Sequence, residues 1–164
     1  MKSLYLIGGT MGVGKTTVCQ QLKLELNNSV FLDGDWCWDA NPFQVTEETK
    51  KMVVDNITYL LNNFLRCSAY ENVIFCWVMH EQGIINLITE KLDVSNCDVK
   101  AISLMVDESN LRERLTHDVA RGIRSEDVIS RSIERISLYQ ELNTIKIDTS
   151  DKTIPSIIAE IKKL

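Results

Sequence analysis

Near the start of the chain, Gly9-Thr10-Met11-Gly12-Val13-Gly14-Lys15-Thr16 has the spacing G-x-x-x-x-G-K-T of a phosphate-binding loop, the Walker A pattern. It follows the apolar run Leu4-Tyr5-Leu6-Ile7 and leads into a helical pattern, which is the strand–turn–helix setting the motif requires. Glycines let the backbone wrap closely round an anion so that several N–H groups point at phosphate oxygens. The partial positive charge of the next helix start adds to that attraction. Lys15 would reach the β- and γ-phosphates, and the Thr16 hydroxyl would ligate magnesium. Gly9, Met11, Gly12, Val13, Gly14 and Thr17 would share in holding the nucleotide. A glycine turn with an incidental lysine has the same letters but not these flanks.

In a parallel α/β sheet, ligands gather at the C-terminal ends of the strands, so the residues delivered there matter most. The second apolar run ends at Asp33-Gly34-Asp35, where an extended backbone would point both carboxylates the same way. One could hold magnesium, directly or through water, while the other takes a proton from a substrate hydroxyl. A polar turn satisfying local N–H groups is the plainer alternative. The third run ends at Cys76-Trp77-Val78-Met79-His80, with no acidic residue to serve a metal, which leaves Asp33 as the expected metal partner beside Thr16. His80 could bond a substrate or act as a base near neutral pH, or simply end a strand. Trp36 and Trp38 could wall a pocket or join the core. Nothing in the sequence pairs Cys37 with His80 as a nucleophile and base.

Except for Arg66, every arginine lies between Arg112 and Arg135: Arg112, Arg114, Arg121, Arg124, Arg131 and Arg135. Arg121-Gly122-Ile123-Arg124 sits between two helical patterns, with a glycine to permit movement. A mobile lid over roughly residues 117–126 would bring Arg121 or Arg124 onto a triphosphate, neutralise charge on the transferred group and exclude water. The plainer alternative is a solvated helix face with paired charges, such as Arg131 and Arg135 with Glu134 nearby; two or three of the six are expected to be functional and the rest surface.

Strand-like and helix-like segments alternate throughout, which indicates a parallel sheet with helices on both faces. Strands are expected at Ser3–Ile7, Ser29–Leu32, Asn72–Val78, Val99–Val106 and Thr144–Ile147. Between them fall helices at Gly14–Leu26, one capped by Thr46 with Val53, Ile57, Leu60 and Phe64 inward, and Gly83–Leu92. Asp107 caps a further helix carrying Leu111, Leu115 and Val119. Ser125 starts another that buries Ile129, Ile133 and Ile136, and Pro155 stands in the first turn of the last. Five strands and their crossovers fill residues 1–164, so a single domain is expected.

The 164 residues suit one domain with a full core, and 45% hydrophobic and 25% charged residues are ordinary globular values. A net charge of −5 is not that of a polyanion binder, and outside the arginine segment no basic track exists for a nucleic acid strand. Cys19, Cys37, Cys67, Cys76 and Cys97 form no C-x-x-C pair, which points to free thiols in a reducing cytoplasm. The first apolar run is too short for a signal peptide or a membrane span. The expectation is a cytoplasmic monomer or homodimer acting on a small molecule, away from membranes and nucleic acids.

Together these residues resemble the shikimate kinase and gluconate kinase group of small phosphate-loop kinases, within the nucleoside monophosphate kinase-like fold. The loop Gly9–Thr16 comes first. Phe31-Leu32-Asp33-Gly34-Asp35 fits F-x-D-x-D of shikimate kinases and L-D-G-D of gluconate and adenylylsulfate kinases. Arg114 stands at the arginine before the lid that packs on adenine in that group, and Arg135-Ile136-Ser137-Leu138-Tyr139 is similar to R-x-P-L-Y, whose arginine reaches the substrate. Ile147-Asp148-Thr149 matches the strand end beside the adenine pocket. Two features depart from the group: Trp77-Val78-Met79-His80 replaces a glycine triplet, and Ser137 replaces the proline.

The resemblance implies a three-layer P-loop NTPase fold and an ATP- and Mg2+-dependent transfer of the γ-phosphoryl group to a small acceptor, a hydroxyl by the evidence of the two acids. Lys15, Asp33, Asp35, Arg121 and Arg124 would form the catalytic set. Arg114 and Asp148 would join the loop at the nucleotide, and Asp35, Trp36, Trp38, His80 and Arg135 would meet the acceptor. A nucleoside monophosphate kinase, or a nucleotide-binding regulatory protein with little turnover, are the alternatives.

Overall fold

The computed structural model describes residues 1–164. Its strands are β1 (Lys2–Gly8), β2 (Ser29–Asp33), β3 (Asn72–Cys76), β4 (Cys97–Met105) and β5 (Ile145–Asp148). All neighbours pair in parallel in the order β2-β3-β1-β4-β5, so β1 and its phosphate loop occupy the middle of the sheet. The sequence explains this centre. Leu4, Leu6, Ile7, Val73, Ile74 and Phe75 are almost wholly buried, because helices cover the sheet from both sides.

On one face the core joins Ile7, Val18, Leu22, Ile74, Leu104, Leu111 and Ile158; on the other it joins Leu4, Leu6, Ile57, Leu61, Phe75, Ile88 and Tyr139. The helices supplying them are α1 (Lys15–Glu25), α2 (Glu47–Arg66), α3 (Gln82–Glu90), α4 (Glu108–Ala120), α5 (Asp127–Glu134), α6 (Ile136–Gln140) and α7 (Ile154–Ile161). Thr46 caps α2 through a reciprocal pair of bonds with Thr49, and Asp107 and Thr153 cap α4 and α7. Pro155 sits in the first turn of α7, where no amide donor is needed.

Three expectations of element detail are corrected. The buried stripe of α2 runs through Val53, Val54, Ile57, Leu61 and Leu65, whereas Leu60 and Phe64 lie half-buried at its edge, Phe64 edge-on to Tyr70. α5 starts at Asp127 and not at Ser125, whose hydroxyl bonds the Asp127 carboxylate. α5 turns Val128 and Ser132 inward and leaves Ile129, Ile133 and Ile136 half-buried. The small Ser132 allows the close approach that lets the buried Thr10 hydroxyl donate to its carbonyl at 2.7 Å. A 3-10 turn at Gly34–Cys37 and the short α6 have no counterpart in the sequence pattern.

Candidate active site

The phosphate loop joins β1 to α1 in a left-handed path. Gly9, Gly12 and Gly14 all have positive φ, at 157°, 85° and 102°. At Gly12 packing adds a second demand, since a Cβ would lie 2.5 Å from Leu115 Cδ2. Around Gly14 nothing lies within 4 Å of such an atom, so the hollow of the loop is open there. The backbone N–H groups of Gly14, Lys15, Thr16 and Thr17 have no acceptor within the chain, and the first turn of α1 carries no acid. That donor set fits an anion of several oxygens. Lys15 Nζ donates to the carbonyls of Gly9 (2.8 Å) and Thr10 (3.1 Å), folded back over the loop. Burial pushes its ammonium below the usual range, Asp35 and Asp33 act against this, and Arg124 adds to the lowering.

The end of β2 brings the acids to the same place. The Thr16 hydroxyl donates to Asp33 Oδ2 at 2.6 Å, and Asp33 Oδ1 accepts the backbone N–H of Asp35 at 3.0 Å. Asp33 is buried and thus tied at both oxygens, to the loop and to the 3-10 turn. Asp35 opens toward solvent. Its carboxyl is held above the usual range by partial burial and by the Asp33 charge, while Lys15, a hydrogen bond from Trp77 and Arg124 pull it down. Thr16 and Asp33 present hard oxygen donors side by side, which suits Mg2+ bound with phosphate oxygens.

Beyond the acids, the Trp77 indole rests on Gly34, and the Trp77 backbone N–H donates to the Ile7 carbonyl at 3.2 Å. His80 Nδ1 is buried without a partner; burial and then the Arg135 charge lower the imidazole, against the pull of Glu81. The Tyr139 hydroxyl is likewise buried and unpartnered, with the ring packed near Gly8 and Met79. Trp38 pairs with Phe43 at a centroid distance of 4.5 Å. Trp36 turns away from this group. It is 56% exposed and packs edge-on against Phe31, which belongs to the core on the α1 side. Burial, then Asp33 and Asp35, push the Cys37 thiol up, away from the thiolate form that attacks.

The arginines separate by geometry. Arg112 pairs with Glu108 and Arg131 with Asp127, both exposed on their own helices; the partner of Arg131 is thus not Glu134. Arg114 donates to Val13 O (3.2 Å) and Thr149 O (3.1 Å), joining the phosphate loop to the end of β5. It also borders an open groove of about 440 Å³ with Asn110, Glu113, His117 and Asp118. At the same strand end Asp148 is exposed and bonded to Ser150, whereas Thr149 is buried and takes Arg114. The segment read as a lid is half helix, since α4 runs to Ala120. Gly122, at φ 71°, is the left-handed residue of a Schellman cap: Gly122 N–H donates to Val119 O and Ile123 N–H to Asp118 O, both at 2.9 Å. It closes α4. Arg124 is half-buried, donates to Asp118 at 3.2 Å and lies within the field of Lys15 and Asp35, while Arg121 is exposed.

Sequence reasoning missed Thr10, Asp118 and the Gly34–Trp77 contact. Asp118 was visible as an acid within the lid segment. The other two depend on a crossover that only the folded sheet reveals.

With this geometry in view, comparison with known proteins is informative. The family model described as AAA domain matches residues 6–135, from β1 through the loop, the acids and the lid to Arg135. The shikimate kinase of Bacillus cereus (strain G9842) is 29% identical, over 99% of this chain and 98% of its own length. That of Bacillus anthracis (strain CDC 684) is 28% identical over 99% and 98%. Among solved structures, a gluconokinase from Sinorhizobium meliloti 1021 superposes with a TM-score of 0.71 at 16% identity, over 96% of this chain and 88% of that one. The Deinococcus radiodurans tunicamycin resistance protein gives 0.72 at 16%, over 99% and 95%. Shikimate kinase from Acinetobacter baumannii, in complex with shikimate, gives 0.63 at 18%, over 99% and 92%. By the family match and the site it spans, the chain belongs to the AAA domain family, as a small-molecule P-loop kinase similar to the shikimate kinase and gluconate kinase group.

Proposed function

We propose that the chain transfers the γ-phosphoryl group of ATP to a hydroxyl of a small-molecule acceptor. The observation that carries this reading is the division of labour between the acids. Asp33 has both oxygens engaged, one by the Thr16 hydroxyl and one by the Asp35 N–H, which suits a fixed metal partner. Asp35 is exposed at the opening with its carboxyl raised above the ordinary aspartate range by burial and by Asp33, which suits a proton acceptor. A phosphate acceptor needs no general base, so this arrangement favours a hydroxyl over a nucleoside monophosphate.

The loop N–H groups and Lys15 hold and orient the phosphates, with Lys15 exchanging its carbonyl contacts for phosphate oxygens. Mg2+, held through Thr16 and beside Asp33, supplies charge neutralisation when bound. Asp35 accepts the acceptor's hydroxyl proton as the new O–P bond forms and the bond to the ADP oxygen breaks. Arg124 lies where charge on the transferred group would develop, and Arg135 and His80 face the acceptor. Arg114 and Thr149 would border the base, and residues 121–126 would close over the phosphates as a lid of the single domain. Shikimate and gluconate, after which these similar kinases are named, are hydroxy compounds without phosphate, which supports the same reaction class. No helix is long and apolar enough to cross a membrane.

The test is ADP release with Mg·ATP on addition of hydroxyl compounds and, separately, nucleoside monophosphates. Release that depends on a hydroxyl acceptor and is lost in Asp35→Asn supports the reading. Release with monophosphates alone, or with no acceptor in either set, overturns it.

A further inference from the structure

The side of the site away from the phosphate loop has a wall that phosphate chemistry does not require. Trp77 is seated so closely on Gly34 that a Cβ there would stand 2.5 Å from its Cγ. Gly34 lies between Asp33 and Asp35 in the chain, so this seat holds an aromatic surface beside the acids. Leaving the acids, the chain places Trp38 against Phe43 and rests Trp38 on the core shared by α2 and α3. Phe43 and Val45 are each 60% exposed and Met52, in the second turn of α2, 41%. A purely solvated connection has no use for such a run of large apolar side chains. Three residues beyond Trp77 comes His80, whose buried Nδ1 lacks a partner. Burial and Arg135 keep that ring in its neutral form, able to give or take one hydrogen bond.

Resting on the phosphotransferase reading above, we propose that the acceptor carries an aromatic or similarly flat apolar ring beside its hydroxyl, seated between Trp77 and the Trp38–Phe43 pair, with a polar group on His80 Nδ1. Ring and hydroxyl are then recognised by different parts of the wall. Stacked or edge-on aromatics fix the ring in the cleft. His80 and Asp35 fix the rotation of the ring's polar substituents, which brings the hydroxyl in line with the phosphate loop.

The experiment uses the tryptophans themselves. In a Trp36→Phe background, emission comes from Trp38 and Trp77 alone, both in the wall. With a non-hydrolysable ATP analogue and Mg2+ present, phenyl β-D-glucoside, methyl β-D-glucoside, shikimate and gluconate are titrated in turn. The expected result is quenching by the phenyl compound at about one-tenth the concentration needed for the methyl compound, the order of discrimination an apolar pocket gives. Trp38→Ala should erase that difference and Trp38→Phe should keep most of it, which separates a ring contact from a general loss of structure. Equal binding of the two glucosides, or tighter binding of shikimate or gluconate, overturns the proposal. ADP release with the same compounds and Mg·ATP is read separately. A ring preference in binding without release from any acceptor upholds the cleft and overturns phosphotransfer. Release with the acids but not the phenyl compound upholds phosphotransfer and overturns the ring.

Discussion

The Thr16 hydroxyl donates a 2.6 Å hydrogen bond to Asp33 Oδ2, which ties the first turn of the helix after the phosphate loop to the end of the neighbouring β-strand but one. β2 is not adjacent to β1; β3 lies between them, so this contact crosses the mouth of the sheet. Because Asp33 is also anchored through Asp35 N–H, a shift at either residue moves the other.

The first prediction follows from that coupling. Asp33→Asn keeps the size but removes the negative charge offered to a cation beside Thr16 and puts an NH2 donor where one of two acceptor oxygens stood. Turnover is expected to fall about 10²–10³-fold, the scale for removing one fixed charge-stabilising group, while ATP binding without metal changes little. ADP release measured against Mg2+ concentration, next to ATP titration in EDTA, checks this. Unchanged turnover and unchanged Mg2+ dependence would remove Asp33 from the metal site.

A second prediction concerns pH. Asp35 is raised from its ordinary value, by burial first and by Asp33 next. A base must be ionised, so the rate should fall on the acid side at a pH above that of an ordinary aspartate. Lys15 is the first of the groups that favour the ionised form, so Lys15→Met should move that limb further up in whatever activity remains. For stability the sign is opposite to that of a paired carboxylate. The folded state binds the proton more tightly than the unfolded chain, so stability drops as pH rises through the window between the two values. Asp35→Asn is therefore expected to melt higher than the parent at neutral pH, with the gap closing in acid. A variant that is less stable at pH 7 and equally active contradicts both parts.

Much of this site was legible because short motifs carry their own geometry. Gly9–Thr16 fixes a loop, and Asp33-Gly34-Asp35 after an apolar run fixes a strand end. The parallel order of the sheet follows from alternating strand and helix patterns. What stayed hidden depends on contacts between distant elements. The inward side of α5 is set by Thr10 bonding Ser132, 122 residues away in sequence, and not by its isoleucine spacing. Trp36 and Trp38 read alike as neighbours, yet Phe31 draws one to the α1 face and Phe43 holds the other on the opposite side. Gly122 looked like a hinge because a glycine between arginines permits motion; the Schellman bonds depend on where α4 stops.

The lid arginines give a third prediction. Arg124 is held by Asp118 within reach of the charges on Lys15 and Asp35, whereas Arg121 is exposed at the end of α4. Arg124→Ala is expected to lower kcat by about 10²-fold or more, in the range for arginines that act on a transferred phosphoryl group. Arg121→Ala should stay within about threefold, as an exposed surface charge does. Asp118→Asn frees Arg124 from its present contact and should lie between them. Steady-state kinetics on the three variants decide the matter; equal losses for Arg121→Ala and Arg124→Ala would refute the assignment.

The loop glycines separate packing from ligand binding. Gly12 and Gly14 both have left-handed φ, so alanine is strained at each by about 1–2 kcal/mol. Only at Gly12 does the new methyl also strike a core side chain, Leu115, whose Cδ2 and Cγ would be 2.5 Å and 2.9 Å away. Overpacking there adds about 1–3 kcal/mol. For a chain of this size each kcal/mol lowers Tm by about 2–4 °C, so Gly12→Ala should melt several degrees below Gly14→Ala. The order reverses for nucleotide. The space beside Gly14 is open because phosphate oxygens would fill it, and a methyl there should weaken ATP binding more than the change at Gly12. Thermal melts and ATP titrations on the two variants test the pair of rankings together. If Gly14→Ala melts lower and binds ATP normally, the loop does not cradle phosphate in the way its open hollow indicates.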